Sequence, residues 1–496
     1  MKYTIAIDQS TSATKVLLFD ENEILKADVA VGHKQYYPEP GWVEHDPIEI
    51  LRNLDAAFRQ LLFSSKTKLT DITSVAITNQ RETVVVWNAE TGEPVYNAVV
   101  WQCQRGAELC SKLRAEGYEE MVRSKTGLLI DPYFSASGVK WILDNVPDAR
   151  NLADAGKLRF GTMDTWLIWN LTKGENQVHV TDFTNASRTL LFNIHTTEWD
   201  DELLKLFEIP RSMMPEIRPC DTIYGETDLN GLLPVKVPIA GVLGDSHGAL
   251  VGQMCFEPGM GKATYGTGSS VMVNIGLTPC IPPDGLVTSV GFAACGDINY
   301  AFEGNIHCTG DTIRWLKDDL ELIRNTAESE QLATSVMDNG GVYFVPAFAG
   351  LGAPWWNNDA RGLICGMTRG TKRAHVVRAA LEAIAYQVRD LVEVMTGKAG
   401  VSIKELRVDG GPVRNDFLMQ FQSDILNAVV NRSPIKEASA YGAVLMNSLA
   451  LGRRKSLESI KKLRTENDYV TPAMSEKTRE ELYTGWKKAV KRTIYK

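Results

Sequence analysis

The chain has 496 residues, 44% apolar and 23% charged, which suits two or three domains that each bury a core. Lys and Arg number 53 against 61 Asp and Glu, a net charge of −8. That balance argues against a general nucleic-acid binder but leaves room for a local basic site for a phosphate. Only five uncharged residues separate Lys2 from Asp8, too few for a signal-peptide core. The longest apolar stretches, such as 237–243, fall far short of a membrane span. The eight cysteines form no CxxC pair and read as reduced, mostly core thiols. A disulfide scaffold, a zinc ribbon and a secreted protein are disfavoured. A cytoplasmic enzyme with no membrane partner leads.

Strand-like runs at 3–7 and 15–19 flank the turn-rich segment QSTSAT. A third run at 24–31 leads into a Pro- and Gly-bearing loop at 37–46. Pro47 sits where a helix's first turn tolerates it, and 48–63 reads as that helix. Strands are expected at 73–77, 83–87 and 98–101. Their alternation with helical patterns favours α/β over all-β. Apolar strand 237–243 precedes Asp245 and a helix at 246–254. Strands 261–265 and 270–275 then flank the Gly-Thr-Gly turn at 266–268. Strand, Ser/Thr/Gly turn, strand is also how the chain begins. We read this as a duplication, with domains at 1–252 and 253–496. Val377, Leu381, Ile384, Val388, Leu391 and Met395 mark a helix, with Thr371 as its expected N-cap. Strand 406–408 runs into Asp409-Gly410-Gly411, and Phe417, Phe421 and Ile425 share one face of the next helix. From Ser475 an amphipathic, rather basic helix closes the chain.

Three turns have phosphate chemistry. Asp8-Gln9-Ser10-Thr11-Ser12 follows a strand, and a tight turn of small hydroxyl residues exposes N–H groups that can cradle a phosphate. Asp8 could hold magnesium through water, with Lys15 as a nearby cation. The plain alternative is a hairpin built from good turn formers. Gly266-Thr267-Gly268 is the second turn. Val271 stands where GxGxxG needs its third Gly, and a strand follows, which disfavours a Rossmann site. Lys262 is followed by Ala263, so there is no P-loop. Asp409-Gly410-Gly411 is the third, with glycines that allow a nucleotide close and Asn415 in reach of a base or ribose. Its alternative is a packing turn.

Arg81 and Glu82 sit between two apolar strands, where an adjacent cation and anion can hold neighbouring hydroxyls. A solvated hairpin tip is the alternative. Trp101 and Tyr133 could wall a small polar ligand, although most such residues are core. Asp245 ends a strand, where catalysis often sits in open α/β sheets. It would also serve as an N-cap. Beside an ATP site, general base is the better reading. His247 could pair with Asp245, but no Ser/His/Asp triad is legible. His45 lacks a second ligand cluster, and no structural metal site is read.

Together these segments resemble the FGGY carbohydrate kinases, especially the members acting on glycerol. PGWVEHDP (40–47), ITNQRET (77–83), NAVVWQC (97–103), TGLLIDPYFS (126–135), VHVTDFTNASRTLLFNIHT (178–196), VPAFAGLGAPWW (345–356) and RVDGGPVRNDFLMQFQSDIL (407–426) carry the resemblance. It implies an α/β fold of two actin-like (ribonuclease H-like) ATPase domains with a cleft between them. It also implies transfer of the γ-phosphoryl of MgATP to a terminal hydroxyl of a small polyol, glycerol first, by a homodimer or homotetramer. By position, Arg81, Glu82, Tyr133 and Asp245 would bind the polyol, with Trp101 as a wall and Asp245 as base. Asp8 would position magnesium. Thr11, Ser12, Lys15, Thr267, Gly310, Gly411 and Asn415 would line the nucleotide.

The departures are informative. Asp245-Ser246-His247 replaces the usual Asp-Gln-Gln, and Ser270 replaces an aromatic residue. Ser10 stands for Gly, Lys15 for Arg, and Arg314 for a nucleotide-side Gln. Shrinking two pocket residues should weaken glycerol packing by about 1–3 kcal/mol. It makes room for a tetritol, pentitol or ketopentose, unless His247 or a loop refills the space. The run 230–234 lacks the Gly-Gly-x-Arg of fructose bisphosphate control, and the phosphorylatable His of other members is missing, so neither control is expected. A reading of another class is an actin-like ATPase without kinase activity. It would share the phosphate turns but would not need Arg81, Glu82, Tyr133 and Asp245 in one pocket.

Overall fold

In strand β1 (Tyr3–Gln9) every residue after Tyr3 is buried, because the strand has neighbours on both sides within its sheet and is covered on both faces. The computed structural model describes residues 2–282, 285–348, 350–352, 354–355, 357, 359–464 and 467–494, and of Ala399 the backbone alone. Residues 349, 353 and 356 of the 345–356 segment thus lie outside the described residues. Ser10 N donates to Ala13 O at 2.9 Å, and the chain turns into β2 (Ala13–Asp20). β3 (Leu25–Gly32) is the sheet's edge and alternates exposed with shielded positions. Asp46 caps α1 (Pro47–Ser65) by accepting from Ile48 N at 2.8 Å, with Pro47 in the first turn. Its Ile50, Leu54, Phe58 and Leu61 join the core under this sheet, each burial worth about 1.5–3 kcal/mol.

β4 (Ile72–Asn79), β5 (Ile223–Thr227) and β6 (Val237–Gly244) complete a six-stranded sheet of order β5-β6-β4-β1-β2-β3. Helix α2 (Asp245–Gly252) leaves the end of β6. A seven-stranded sheet follows from β7 (Met260–Tyr265), β8 (Ser269–Gly276), β9 (Val287–Ala294), β10 (Asp297–Ile306), β11 (Glu405–Gly410), β12 (Val429–Arg432) and β13 (Asp468–Val470). Its order is β9-β10-β8-β7-β11-β12-β13. The series β3-β2-β1-β4-β6 and β10-β8-β7-β11-β12 have the same order and the same sequence of antiparallel and parallel pairings. The repeat legible at one turn extends to five strands of each sheet.

The longer helices of the second half are α3 (Gly310–Asp318), α4 (Arg373–Ala399), α5 (Asp416–Leu426), α6 (Ala438–Ala450) and α7 (Glu476–Ile494). Helix α4 carries the expected apolar stripe, but Thr371 is not its N-cap. Lys372 is, with His375 Nδ1 accepting from Lys372 N at 3.0 Å, while Thr371 Oγ1 accepts from Thr368 N in the preceding turn. Asp245 is not a cap either, being the first helical residue after Gly244. The strand expected at 83–87 begins at Val85, because Thr83 N turns back to Arg81 O at 2.7 Å. The strand expected at 98–101 stops at Val99. Among the described residues no disulfide joins the eight cysteines, and Cys103, Cys110, Cys220, Cys255 and Cys308 are buried. Among the described residues no helix is long and apolar enough to cross a membrane.

Helix α6 comes from the second half of the chain but packs on the first sheet. Ala440, Ala443 and Val444 bury against Ala6, Leu17, Phe19 and Ala76. Asn447 Nδ2 donates to Ala240 O at 2.8 Å, and Asn447 Oδ1 accepts from Ser74 Oγ at 3.0 Å. α6 also crosses α2 at backbone contact: a Cβ on Gly442 would stand 2.0 Å from Gly248 O. Gly442→Ala should therefore lower stability by about 1–3 kcal/mol in urea denaturation. Gly397→Ala, which meets nothing within 4 Å, should be neutral or gain up to about 1 kcal/mol.

Candidate active site

The site grows from the end of β4. Glu82 takes a left-handed backbone, with φ at +63°, which sends Arg81 and Glu82 inward rather than to a solvated tip. Gly244 makes room for them, since a Cβ there would lie 2.6 Å from Arg81 Cγ. Arg81 Nη1 and Nη2 each donate to a Glu303 oxygen at 2.8 Å, and Arg81 Nε lies 3.2 Å from Asp245 Oδ1. Arg188 Nε donates to Glu82 Oε1 at 2.5 Å. Arg188 Nη1 lies 3.0 Å from Glu303 Oε2, an ion-pair contact outside hydrogen-bond geometry. Arg81, Glu82, Arg188 and Glu303 are all buried. Burial disfavours the Glu303 charge, but Arg81 and Arg188 outweigh it and hold its pKa well below the ordinary value. Burial also raises the Glu82 pKa, against the pull of Arg188 and Arg81.

Around this network lies a cleft of about 720 Å³. Thr11, Arg81, Glu82, Trp101, Tyr133, Asp245, Ser246 and Ser270 all line it. Trp101 and Tyr133 meet edge to face with ring centres 5.4 Å apart, and Trp101 Nε1 donates to Thr11 Oγ1 at 3.0 Å. Asp245 sits at the N-terminus of α2, where the helix dipole favours its charge. His247 does not pair with Asp245, contrary to that possibility. It is fully buried with Nε2 3.0 Å from Ser289 Oγ, and burial, then the Arg81 charge, hold its pKa well below normal. Nor does His247 refill the space beside Ser246 and Ser270.

Gly266 and Gly268 bring the second turn to the same cleft as Thr11 of the first. Gly266 N donates to Gly268 O at 2.8 Å, and Thr309 N donates to Thr267 O at 2.8 Å. Gly310 N reaches Gly266 O at 2.9 Å, and a Cβ on Gly310 would lie 2.6 Å from that oxygen. Strand pairing puts Gly410 beside Tyr265, so the turn at Gly411 adjoins the turn at Thr267. Asn415 Oδ1 caps α5 by accepting from Leu418 N at 2.9 Å, while its Nδ2 donates to Ser329 Oγ at 3.3 Å. Ser12, Lys15, Thr267, Gly310, Gly411 and Asn415 do not line the 720 Å³ cleft itself, and neither does Arg314, one turn into α3 from Gly310. Arg314 pairs with Asp311 and lines a separate surface hollow with Arg361 and Phe348.

Asp8 lies opposite Lys15 in the β1–β2 ladder, but Lys15 Nζ turns to Glu437 Oε2 at 2.9 Å. Burial lifts the Asp8 pKa to about 7, with Lys15 opposing and the Asp245 and Glu437 charges adding. A buried carboxylate without a cation bound to it suits a hard divalent ion. Such ions often use one or two carboxylates plus phosphate and water.

Three further residues went unread in the sequence: Arg188, Lys262 and Glu303. Each is a lone charge in an apolar or hydroxyl-rich run, which was the available signal. Lys262 is fully buried beside the cleft, with Nζ 3.2 Å from Ser270 Oγ and 3.3 Å from Thr264 Oγ1, and burial lowers its pKa.

The chain that builds this cleft matches known proteins along its length. The chain belongs to the FGGY family of carbohydrate kinases: residues 3–252 match its N-terminal domain and residues 261–451 its C-terminal domain. It is 52% identical to glycerol kinase 1 of Thermotoga maritima over 492 residues, 99% of each chain. It is 50% identical to the glycerol kinase of Shewanella frigidimarina over 489 residues, 99% of this chain and 97% of that one. It superposes on Plasmodium falciparum glycerol kinase with ADP at TM-score 0.95 and 38% identity, over 100% and 99% of the two chains. A xylulose kinase from Lactobacillus acidophilus shares the fold at TM-score 0.89 and 20% identity, over 99% and 98%. The repeated sheets form the two-domain actin-like ATPase fold.

Glu303→Gln would leave two buried guanidiniums facing one carboxylate. It should lower stability by about 3–5 kcal/mol, measured by urea denaturation.

Proposed function

We propose that this protein transfers the γ-phosphoryl group of ATP to a primary hydroxyl of glycerol. The observation that carries the reading is the convergence of Arg81, Glu82, Tyr133 and Asp245 on the one cleft that both phosphate turns reach. An actin-like ATPase without a polyol substrate would have no need of that convergence. Full-length likeness to proteins named glycerol kinase supports the choice of acceptor.

Arg81, held flat by Glu303, presents donor edges to one hydroxyl, and Glu82 accepts from its neighbour. Trp101 and Tyr133 wall the carbon chain. Asp245, partly open to the cleft and 3.2 Å from Arg81 Nε, takes the proton of the attacking hydroxyl. Thr11, Ser12, Lys15, Thr267, Gly310, Arg314, Gly411 and Asn415 form the nucleotide side. Asp8 would hold magnesium through water, and the ion would neutralise charge on the transferring phosphoryl group. Positioning of the two reactants supplies most of the remaining catalysis. The same reading makes the protein a cytoplasmic homodimer or homotetramer of two domains divided near residue 252. Asp245→Asn should lower kcat by about 10²–10⁴-fold while ATP affinity, measured calorimetrically, stays unchanged. Near-normal turnover would remove Asp245 from the base role.

A second reading, a larger polyol or ketose, rests on the wall around Ser246 and Ser270. His247 points away from it, Leu129 and Val287 supply apolar lining, and Lys262 adds a buried donor at Ser270. Ser270→Phe tests it. If the pocket serves four- or five-carbon substrates, kcat/KM for erythritol, xylitol and ketopentoses should fall about 10–200-fold while that for glycerol holds or rises. Highest wild-type kcat/KM for glycerol would end this second reading.

A further inference from the structure

A second charged hollow of about 570 Å³ lies at the C-terminal end of α2, on the same face of the second sheet as Lys262, because Arg407 stands opposite Lys262 in the β7–β11 pairing. Lys404, Arg407, Lys461 and Arg464 line it against two carboxylates, Glu257 and Glu405. Glu257 is shared, lying 2.8 Å from Lys461 Nζ and 3.6 Å from Lys404 Nζ, and the largely exposed Glu458 reaches Lys461 from outside at 3.2 Å. Arg407 pairs with Glu405 at 2.8 Å. Among the described residues Arg464 has no carboxylate partner. Its Nε donates to Asn467 Oδ1 at 2.8 Å, and its buried Nη2 has no hydrogen-bond partner. Burial, and then the Arg407 charge, hold the Arg464 pKa below its ordinary value. Two like charges this close, inside a concave wall with lysines at the rim, are the setting in which a phosphate replaces missing acceptors.

The hollow also touches the catalytic framework. Arg407 Nη1 and Arg464 Nη1 both donate to Gln253 O, the residue that ends α2. Gln253 Nε2 donates to Asp409 Oδ2 at 2.8 Å, at the third phosphate turn. One residue therefore links the guanidiniums to the helix that begins at Asp245 and to the turn at Gly411. We propose that this hollow binds a small phosphate-bearing molecule, and that its occupancy tunes turnover by drawing the two guanidiniums off Gln253 O.

The test uses the full chain with its cleft saturated by glycerol, ADP and magnesium, so that neither the polyol nor the nucleotide side is open to the added phosphate compound. Inorganic phosphate and glycerol 3-phosphate are titrated calorimetrically into the wild type and Lys404→Glu, and kcat is measured with and without saturating phosphate. Lys404 is exposed, so the variant should fold and keep its phosphate-free kcat and KM. The expected result is binding to the wild type, weakened about tenfold or more in Lys404→Glu. Saturating phosphate should change wild-type kcat by about twofold or more and leave the variant's unchanged. Tighter binding of the ester than of inorganic phosphate would identify a metabolite as the ligand, and the reverse order would identify free phosphate. Equal binding by wild type and variant would overturn the site, and a wild-type kcat indifferent to phosphate would overturn the coupling. Lys461→Ala serves as an independent second variant with the same expected loss.

Discussion

The buried pair of Arg81 and Glu303 joins residues 222 positions apart, and the geometry of the cleft depends on it. Arg81 comes from the end of the first sheet's β4 and Glu303 from β10 of the second. Each ion loses several kcal/mol of hydration on burial, so a pair of this kind is poor evidence of stability. Its contribution is to position. A bidentate grip fixes the guanidinium plane and leaves Nε toward Asp245. Arg188 and Glu82 extend the pair to four alternating charges, each with an opposite neighbour.

Helix α2 transmits that placement along its length. Its first residue, Asp245, stands in the cleft, its glycines touch α6, and Gln253 at its end meets Arg407, Arg464 and Asp409. Such close helix crossing needs residues without side chains at Gly248, Gly252 and Gly442. The helix therefore has little freedom to slide. Catalytic geometry and fold stability share these contacts, which is the usual reason active-site frameworks tolerate few substitutions.

Much of the fold was legible because its signals are local. Asp46 and Pro47 mark the start of α1, and the 4-3-4-3-4 spacing from Val377 to Met395 marks α4. The two hairpins around Ser10–Ala13 and Gly266–Gly268 announced a repeat that the strand order bears out. Local signals failed where a neighbour competed. Thr371 has cap chemistry, yet its hydroxyl closes the turn before the helix. Thr83 has strand chemistry, yet it turns back to Arg81 O after the left-handed Glu82, and Val84 makes only an isolated bridge to Val99. In the cleft, the residues expected to meet the polyol converge. Arg188, Lys262 and Glu303 escaped notice because a charge in an apolar run says only that a partner exists.

The amino-acid sequence by itself determined the class of fold, the family, the Ser/Thr/Gly turns and the set of polar residues that come to the cleft. Each depends on periodicity, turn chemistry or motif, which are properties of short segments. Tertiary structure alone decided that Arg81 faces Glu303, that His247 turns to Ser289 instead of Asp245, and that Arg314 pairs with Asp311. It also placed Lys15 on Glu437 and gathered four basic residues at the end of α2. The physical reason is that burial makes every charge require a partner, and the fold supplies that partner from whatever segment it brings near.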